Sequence, residues 1–327
     1  MASIAIVNHK GGCGKTTTAI NLAAAYARQR RKVLVIDMDP QGHVSMGLNI
    51  DSKKLPLTIY DVLSPHKKNP GLKKAMVRIT PFLDLIPANV KLSALEQQLA
   101  GTSGRESILR DLLNPFLTKY DFIFIDCPPN LGLLSINAIM AVDNVLIPVE
   151  SSKYCLEGVA DLTATLEMID KKAGHKPRRF IFNTLTQEKS DYESKVVKNL
   201  KKKYGKAYLK TRIRESVRIK EAAFLGKPIV YMDLKDKGAI DYYTLSEILG
   251  KKLGFTPITR INQIKGAIKV KPLTEEKILP MVKKTKLTKT MVRKTAKPAV
   301  KKKTVISPIS IKKKTAVKTK TRVLKAA

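Results

Sequence analysis

Lys10-Gly11-Gly12-Cys13-Gly14-Lys15-Thr16-Thr17 is the stretch on which the reading of this chain turns. It follows the apolar run Ile4-Ala5-Ile6-Val7 and leads into an amphipathic segment, residues 18–28. A strand, a glycine-rich turn and a helix start, in that order, make a cradle for phosphate. Backbone N–H groups point inward, and glycine lets the main chain come close to an anion. Gly11, Gly12, Cys13, Gly14 and Thr17 supply the wall of that cradle. Lys15 reaches the outer phosphates of a bound nucleotide, and the Thr16 hydroxyl is placed to hold Mg²⁺. Lys10, five residues before Lys15, is not required by an ordinary phosphate loop. Either it is a plain solvated lysine or it marks a particular subgroup of nucleotide switches.

Working outward, strand-like runs recur at Ile4–Val7, Val33–Ile36, Phe82–Ile86, Phe122–Ile125, Val145–Val149, Phe180–Phe182 and Ile229–Tyr231. Several are continuously apolar and rich in Val and Ile, as strands covered on both faces are. Helix candidates lie between them: Thr16–Arg28, Ser103–Leu113, Leu133–Ala141, Leu156–Lys171, Asp191–Tyr204 and Lys237–Leu249. The alternation predicts an α/β fold of the P-loop NTPase type, a mostly parallel twisted sheet with helices on both faces. Ligands in such folds sit beyond the carboxyl ends of the strands.

Two of the runs end in carboxylates. Val33-Leu34-Val35-Ile36 leads into Asp37-Met38-Asp39-Pro40-Gln41-Gly42, and Phe122-Ile123-Phe124-Ile125 leads into Asp126-Cys127-Pro128-Pro129. An acid at a strand end beside a phosphate loop can hold Mg²⁺ or its water ligands, which predicts metal roles for Asp37 and Asp126 beside Thr16. Asp37 has a plainer alternative, turning the chain ahead of Pro40. A further carboxylate there orients or deprotonates an attacking water. Positioning and electrostatics do most of the work in phosphoryl transfer, so no strongly shifted base is needed.

The 327 residues carry a formal charge of +35. Residues 255–327 hold 22 of the 62 Lys and Arg and two of the 27 Asp and Glu, so +20 of the excess lies there. This divides the chain into a nucleotide-binding domain, 1–254, and a basic low-complexity tail, 255–327, too charged and too poor in large apolar groups to order itself. Such asymmetry calls for a polyanion, nucleic acid before anionic membrane. With no aromatic residue beyond Phe255 the tail has nothing on which bases stack, and contact with the phosphate backbone without sequence preference is expected. A merely solubilising extension is the alternative. No apolar run approaches the ~20 residues of a membrane span, and the first strand starts too early for a leader. Cys13, Cys127 and Cys155 are far apart and show no metal-ligand spacing. A cytoplasmic setting follows.

Taken together, these motifs resemble the ParA/Soj ATPases of the deviant Walker A group, to which MinD proteins also belong. Leu85-Ile-Pro-Ala-Asn89, Leu146-Ile-Pro-Val149, Leu156-Glu-Gly158 and Gly226-Lys-Pro228 extend the likeness over roughly residues 1–250. The resemblance implies ATP and Mg²⁺ as cofactors and an ATP-sandwich homodimer in which Lys10 reaches the partner's nucleotide. It implies catalytic roles for Lys10, Lys15 and Asp39, and an adenine contact for Asn183. It implies non-specific binding to nucleoid DNA, with hydrolysis stimulated by a ParB-like centromere-binding partner to segregate a chromosome or plasmid. Arg212, Arg214, Arg218 and Lys220 form a basic cluster where relatives contact DNA; a solvated charged face is the alternative, and Arg218 is the best single residue. Cys13 stands where valine is usual and His9 where glutamine is common. Ile213-Arg214-Glu215-Ser216 lacks a proline that relatives often carry. A MinD-like membrane switch and a histone-like DNA-compacting protein with a weak nucleotide site are the competing readings.

Overall fold

Every second residue of the central strands belongs to a different core. In the computed structural model, which describes residues 1–66, 68–152, 154–187 and 191–256, Ile4, Ile6, Val33, Val35, Phe122 and Phe124 pack on one side of the sheet. Ala5, Val7, Leu34, Ile36, Ile123 and Ile125 pack on the other. Successive side chains of a strand point to opposite faces, so a strand clad on both faces must be apolar throughout, which explains the uninterrupted runs in the sequence.

The eight strands are β1 (Ala2–Ile6), β2 (Val33–Asp37), β3 (Val77–Thr80), β4 (Leu83–Ile86), β5 (Phe122–Asp126), β6 (Asn144–Glu150), β7 (Arg178–Thr186) and β8 (Tyr208–Arg214). Their order is β3-β4-β2-β5-β1-β6-β7-β8. All neighbours run parallel except the edge pair β3 and β4. The chain leaves central β1 toward β2 on one side and later returns toward β6 on the other. That reversal opens a crevice at the carboxyl end of β1, where a ligand fits.

Helix Lys15–Arg28 lies against the first core with helix Lys237–Lys252; Tyr26 stacks on Phe122 at 3.8 Å between ring centroids. Residues from helices Leu133–Met140, Cys155–Ala173 and Asp191–Tyr204 fill the opposite core. The expected α/β architecture is therefore present. One expected strand is not: residues 229–231 lie in a short helix, Ile229–Met232. Pro228 opens it, and the Ile229 N–H donates to the Asn21 side chain at 2.9 Å instead of to a neighbouring strand. The edge strands β3 and β8 were not expected. The tail beyond residue 256, with its expected role, lies outside the described residues. Among the described residues no helix is long and apolar enough to cross a membrane.

Candidate nucleotide site

The loop after β1 takes the shape that glycine permits. Gly12 and Gly14 have φ of +75° and +88°, a left-handed conformation that costs any other residue strain. A Cβ placed on Gly11 or Gly12 meets nothing within 4 Å, so both face an open cradle. Gly14 caps helix Lys15–Arg28, whose free N–H groups and positive dipole end face that space. Asn8 braces the loop from behind, donating to Pro148 O at 2.7 Å and accepting from the Lys10 N–H at 2.9 Å. Thr184 on β7 donates its hydroxyl to Cys13 O at 2.8 Å. Lys15 is nearly buried and its ammonium donates to Lys10 O at 3.0 Å, across the mouth of the loop.

Three aspartates converge below. Asp37 and Asp126 are directly paired across β2 and β5, and both are fully buried. Asp37 accepts from the backbone of Asp39 at 3.0 Å and of Val44 at 3.2 Å. Asp126 accepts the Thr16 hydroxyl at 2.7 Å on one oxygen, while its other oxygen is buried with no partner among the described residues. Burial, and then the charge of Asp126, hold the Asp37 carboxyl well above the usual carboxylate range. Burial pushes Asp126 up to about 7, with the Thr16 hydrogen bond working against it. Asp39 turns its carboxyl to the Gln41 N–H at 2.9 Å.

This donor set fits a phosphate-bound cation. The unpaired Asp126 oxygen and the Thr16 hydroxyl offer it hard ligands or hold its waters, and two crowded carboxylates gain from positive charge. Among the described residues no cluster of three or more His, Cys, Asp or Glu residues forms a ready-made metal cage. A cation here would thus take part of its shell from the phosphates it accompanies.

Lys10 stands at the rim, its side chain 45 % exposed. Its ammonium pairs with Glu150 at 2.6 Å and donates to the Ser152 hydroxyl at 3.3 Å. Asn183, expected to contact adenine, sits inside the sheet. It is fully buried in β7, its amide donating to the Ser151 hydroxyl at 3.0 Å and accepting from the Tyr208 hydroxyl at 2.7 Å. A cleft of about 390 Å³ instead opens where β7 and β8 end, lined by Thr186, Gln187, Glu215, Ser216, Val217 and Asp236 among others.

Three of the four residues of the basic cluster have charge partners, Arg212 being the exception among the described residues. Arg214 is committed to Asp241, at 2.7 and 2.9 Å; Arg218 pairs with Glu221 at 3.1 Å, and Lys220 with Glu215 at 2.9 Å. Arg214 is thus tied into the fold, whereas Arg218 and Lys220 are exposed. Asn8, Thr184 and Glu150 were not singled out in the sequence; Glu150 and Thr184 reach the loop from strands distant in sequence, and Asn8, beside the loop, ties it to Pro148 on β6.

A family model described as an AAA domain matches residues 1–178. The chromosome partitioning protein ParA of Myxococcus xanthus is 39 % identical over 253 residues, covering 76 % of this chain and 88 % of that protein. The sporulation initiation inhibitor protein Soj of Bacillus subtilis is 38 % identical over 245 residues, covering 75 % and 96 %. Among solved structures, the septum site-determining protein MinD of Pyrococcus horikoshii, complexed with Mg-ADP, superposes with a TM-score of 0.63 at 27 % identity, over 77 % of this chain and 97 % of that one.

Proposed function

The chain belongs to the ParA/Soj family of P-loop partitioning ATPases, and from that premise we propose that it binds and hydrolyses ATP with Mg²⁺ to drive the segregation of a chromosome or plasmid. The observation that carries this reading is the gathering of Lys15, Thr16, Asp37, Asp39 and Asp126 at one strand edge, with Lys10 at its rim. The cradle at residues 11–17 receives the phosphates through backbone N–H groups. Lys15 leaves Lys10 O for the phosphate oxygens, and Thr16 with Asp126 and Asp37 holds Mg²⁺ or its waters. Bound Mg²⁺ offsets the charge of the phosphates and of the two crowded carboxylates. Asp39 orients the attacking water. The base takes the cleft beyond β7 and β8.

Two subunits join face to face around their nucleotides. Lys10 from each crosses to the other's phosphates, which makes pairing depend on nucleotide state. The paired form binds DNA without sequence preference through Arg218, Lys220 and the tail. A centromere-binding partner of the ParB kind accelerates hydrolysis, which breaks the pair and frees the chain from the nucleoid. Analytical ultracentrifugation with a non-hydrolysable triphosphate and Mg²⁺ tests the scheme. The parent chain should dimerise, Lys10→Ala should stay monomeric while still binding nucleotide, and Asp39→Ala should bind ATP and remain paired. Equal pairing by the Lys10→Ala chain would overturn it.

A further inference from the structure

One group of cationic residues with no carboxylate partner lies together on the opposite face of the sheet from Arg218 and Lys220. Helix Asp191–Tyr204 buries Glu193, Val196 and Leu200, the last two in the core that also holds Leu162, Leu166 and Tyr208. Successive helix residues turn by about 100°, so Lys195, Lys198 and Lys202 form one outward stripe opposite Val196 and Leu200. Lys206 follows in the next turn, and all four are exposed. Strand β8 continues the stripe. Leu209 and Ile213 face the core of helix Lys15–Arg28, so Lys210 and Arg212, both exposed, face the same way as Tyr208 and the lysine helix.

Among the described residues none of these six cations pairs with a carboxylate, unlike Arg218 and Lys220; unpaired lysines occur elsewhere, but here six cations share one face. On that helix Asp191 is exposed at the first turn, and Glu193 turns inward to accept from the Gln187 N–H at 2.8 Å. Like charges three and four residues apart repel and weaken a helix. Lysines on an edge strand deter strand pairing, which accounts for Lys210 but not for the helix. Charge this one-sided gains most against a polyanion.

We propose that Lys195, Lys198, Lys202, Lys206, Lys210 and Arg212 form a phosphate-backbone contact surface for duplex DNA. It is separate from the Arg218–Lys220 side of the sheet. The exposed large hydrophobic on this helix is Tyr192, at its first turn ahead of the lysines, and one tyrosine is too little apolar surface to anchor insertion into a bilayer. The inference rests on the DNA-binding part of the function proposed above and locates it.

The test is binding of the full chain to a random-sequence duplex from 50 to 300 mM KCl, with ATP and with ADP. Each phosphate contact contributes about 0.9 to the slope of log K against log salt. K195Q/K198Q/K202Q should therefore lower the slope by about 2–3 with ATP, while nucleotide binding is unchanged and the melting temperature does not fall. K210Q/R212Q, which leaves the helix intact, should lower it by about 2 even if the triple variant folds poorly. A slope unmoved by K210Q/R212Q and by a folded triple variant overturns this surface alone. A loss confined to anionic phospholipid vesicles also overturns it. Absence of any DNA binding by the parent chain overturns both this surface and the function on which it rests.

Discussion

Asp37 and Asp126 present the sharpest local conflict in the molecule, two buried carboxylates side by side across neighbouring strands. Burial raises both above their ordinary range, helped at Asp37 by the charge of Asp126 and at Asp126, which reaches about 7, by that of Asp39. A carboxyl whose pKa is higher in the folded than in the unfolded chain binds its proton more tightly when folded. Its stabilising contribution is therefore complete below about pH 4 and is lost as pH rises toward and through 7. Nucleotide-free protein should accordingly melt at a falling temperature between pH 5 and pH 8 through these two groups. Asp126→Asn should flatten that fall, and Mg²⁺ with nucleotide should reverse it, all readable by calorimetry. The same Asp126→Asn change should weaken Mg²⁺-dependent nucleotide binding by about 10- to 100-fold, the usual penalty for disturbing groups around a metal. A variant as sensitive to pH as the parent would remove this pair as the cause.

Among elements, the turn between β2 and helix His43–Gly47 shows how the fold holds the site. Gly42 has φ of +66°, and a Cβ there would stand 3.0 Å from Ala88 O. The following helix supplies the Val44 N–H that Asp37 accepts. Gly42→Ala should cost about 1–2 kcal/mol from the left-handed backbone alone, measured as a lower urea midpoint, and should loosen nucleotide binding as Asp37 shifts. Lys15, Thr16, Asp37 and Asp126 were legible in the sequence because each follows an apolar strand at its carboxyl end, where topology alone delivers it to the loop. Asn8, Glu150 and Thr184 were not, because the alignment of β6 and β7 beside β1 sets their contacts and no local pattern encodes it. Strand β8 escaped notice for a related reason: its Leu and Ile alternate with Lys and Arg, as an edge half open to water allows. Residues 229–231 misled in the opposite direction, since a short apolar run serves a buried helical turn as well as a strand.

At the scale of the whole molecule, the parallel order of the sheet gathers chemistry along one edge, while helices on its two sides present unlike surfaces. One side carries Arg218 and Lys220 beside their acidic neighbours, and the other the unmatched lysines of helix Asp191–Tyr204. Lys10 belongs to neither surface. It rests against Glu150 on its own subunit, and one ammonium cannot serve two addresses. In the proposed dimer, joining with a twin would then be a trade, the home contact surrendered for the foreign one, with little net shedding of small ions. Attachment to DNA sheds one bound cation for nearly every phosphate covered. The two events should therefore part company in a potassium chloride titration. Sedimentation should find the protein off the duplex while it is still travelling as a couple.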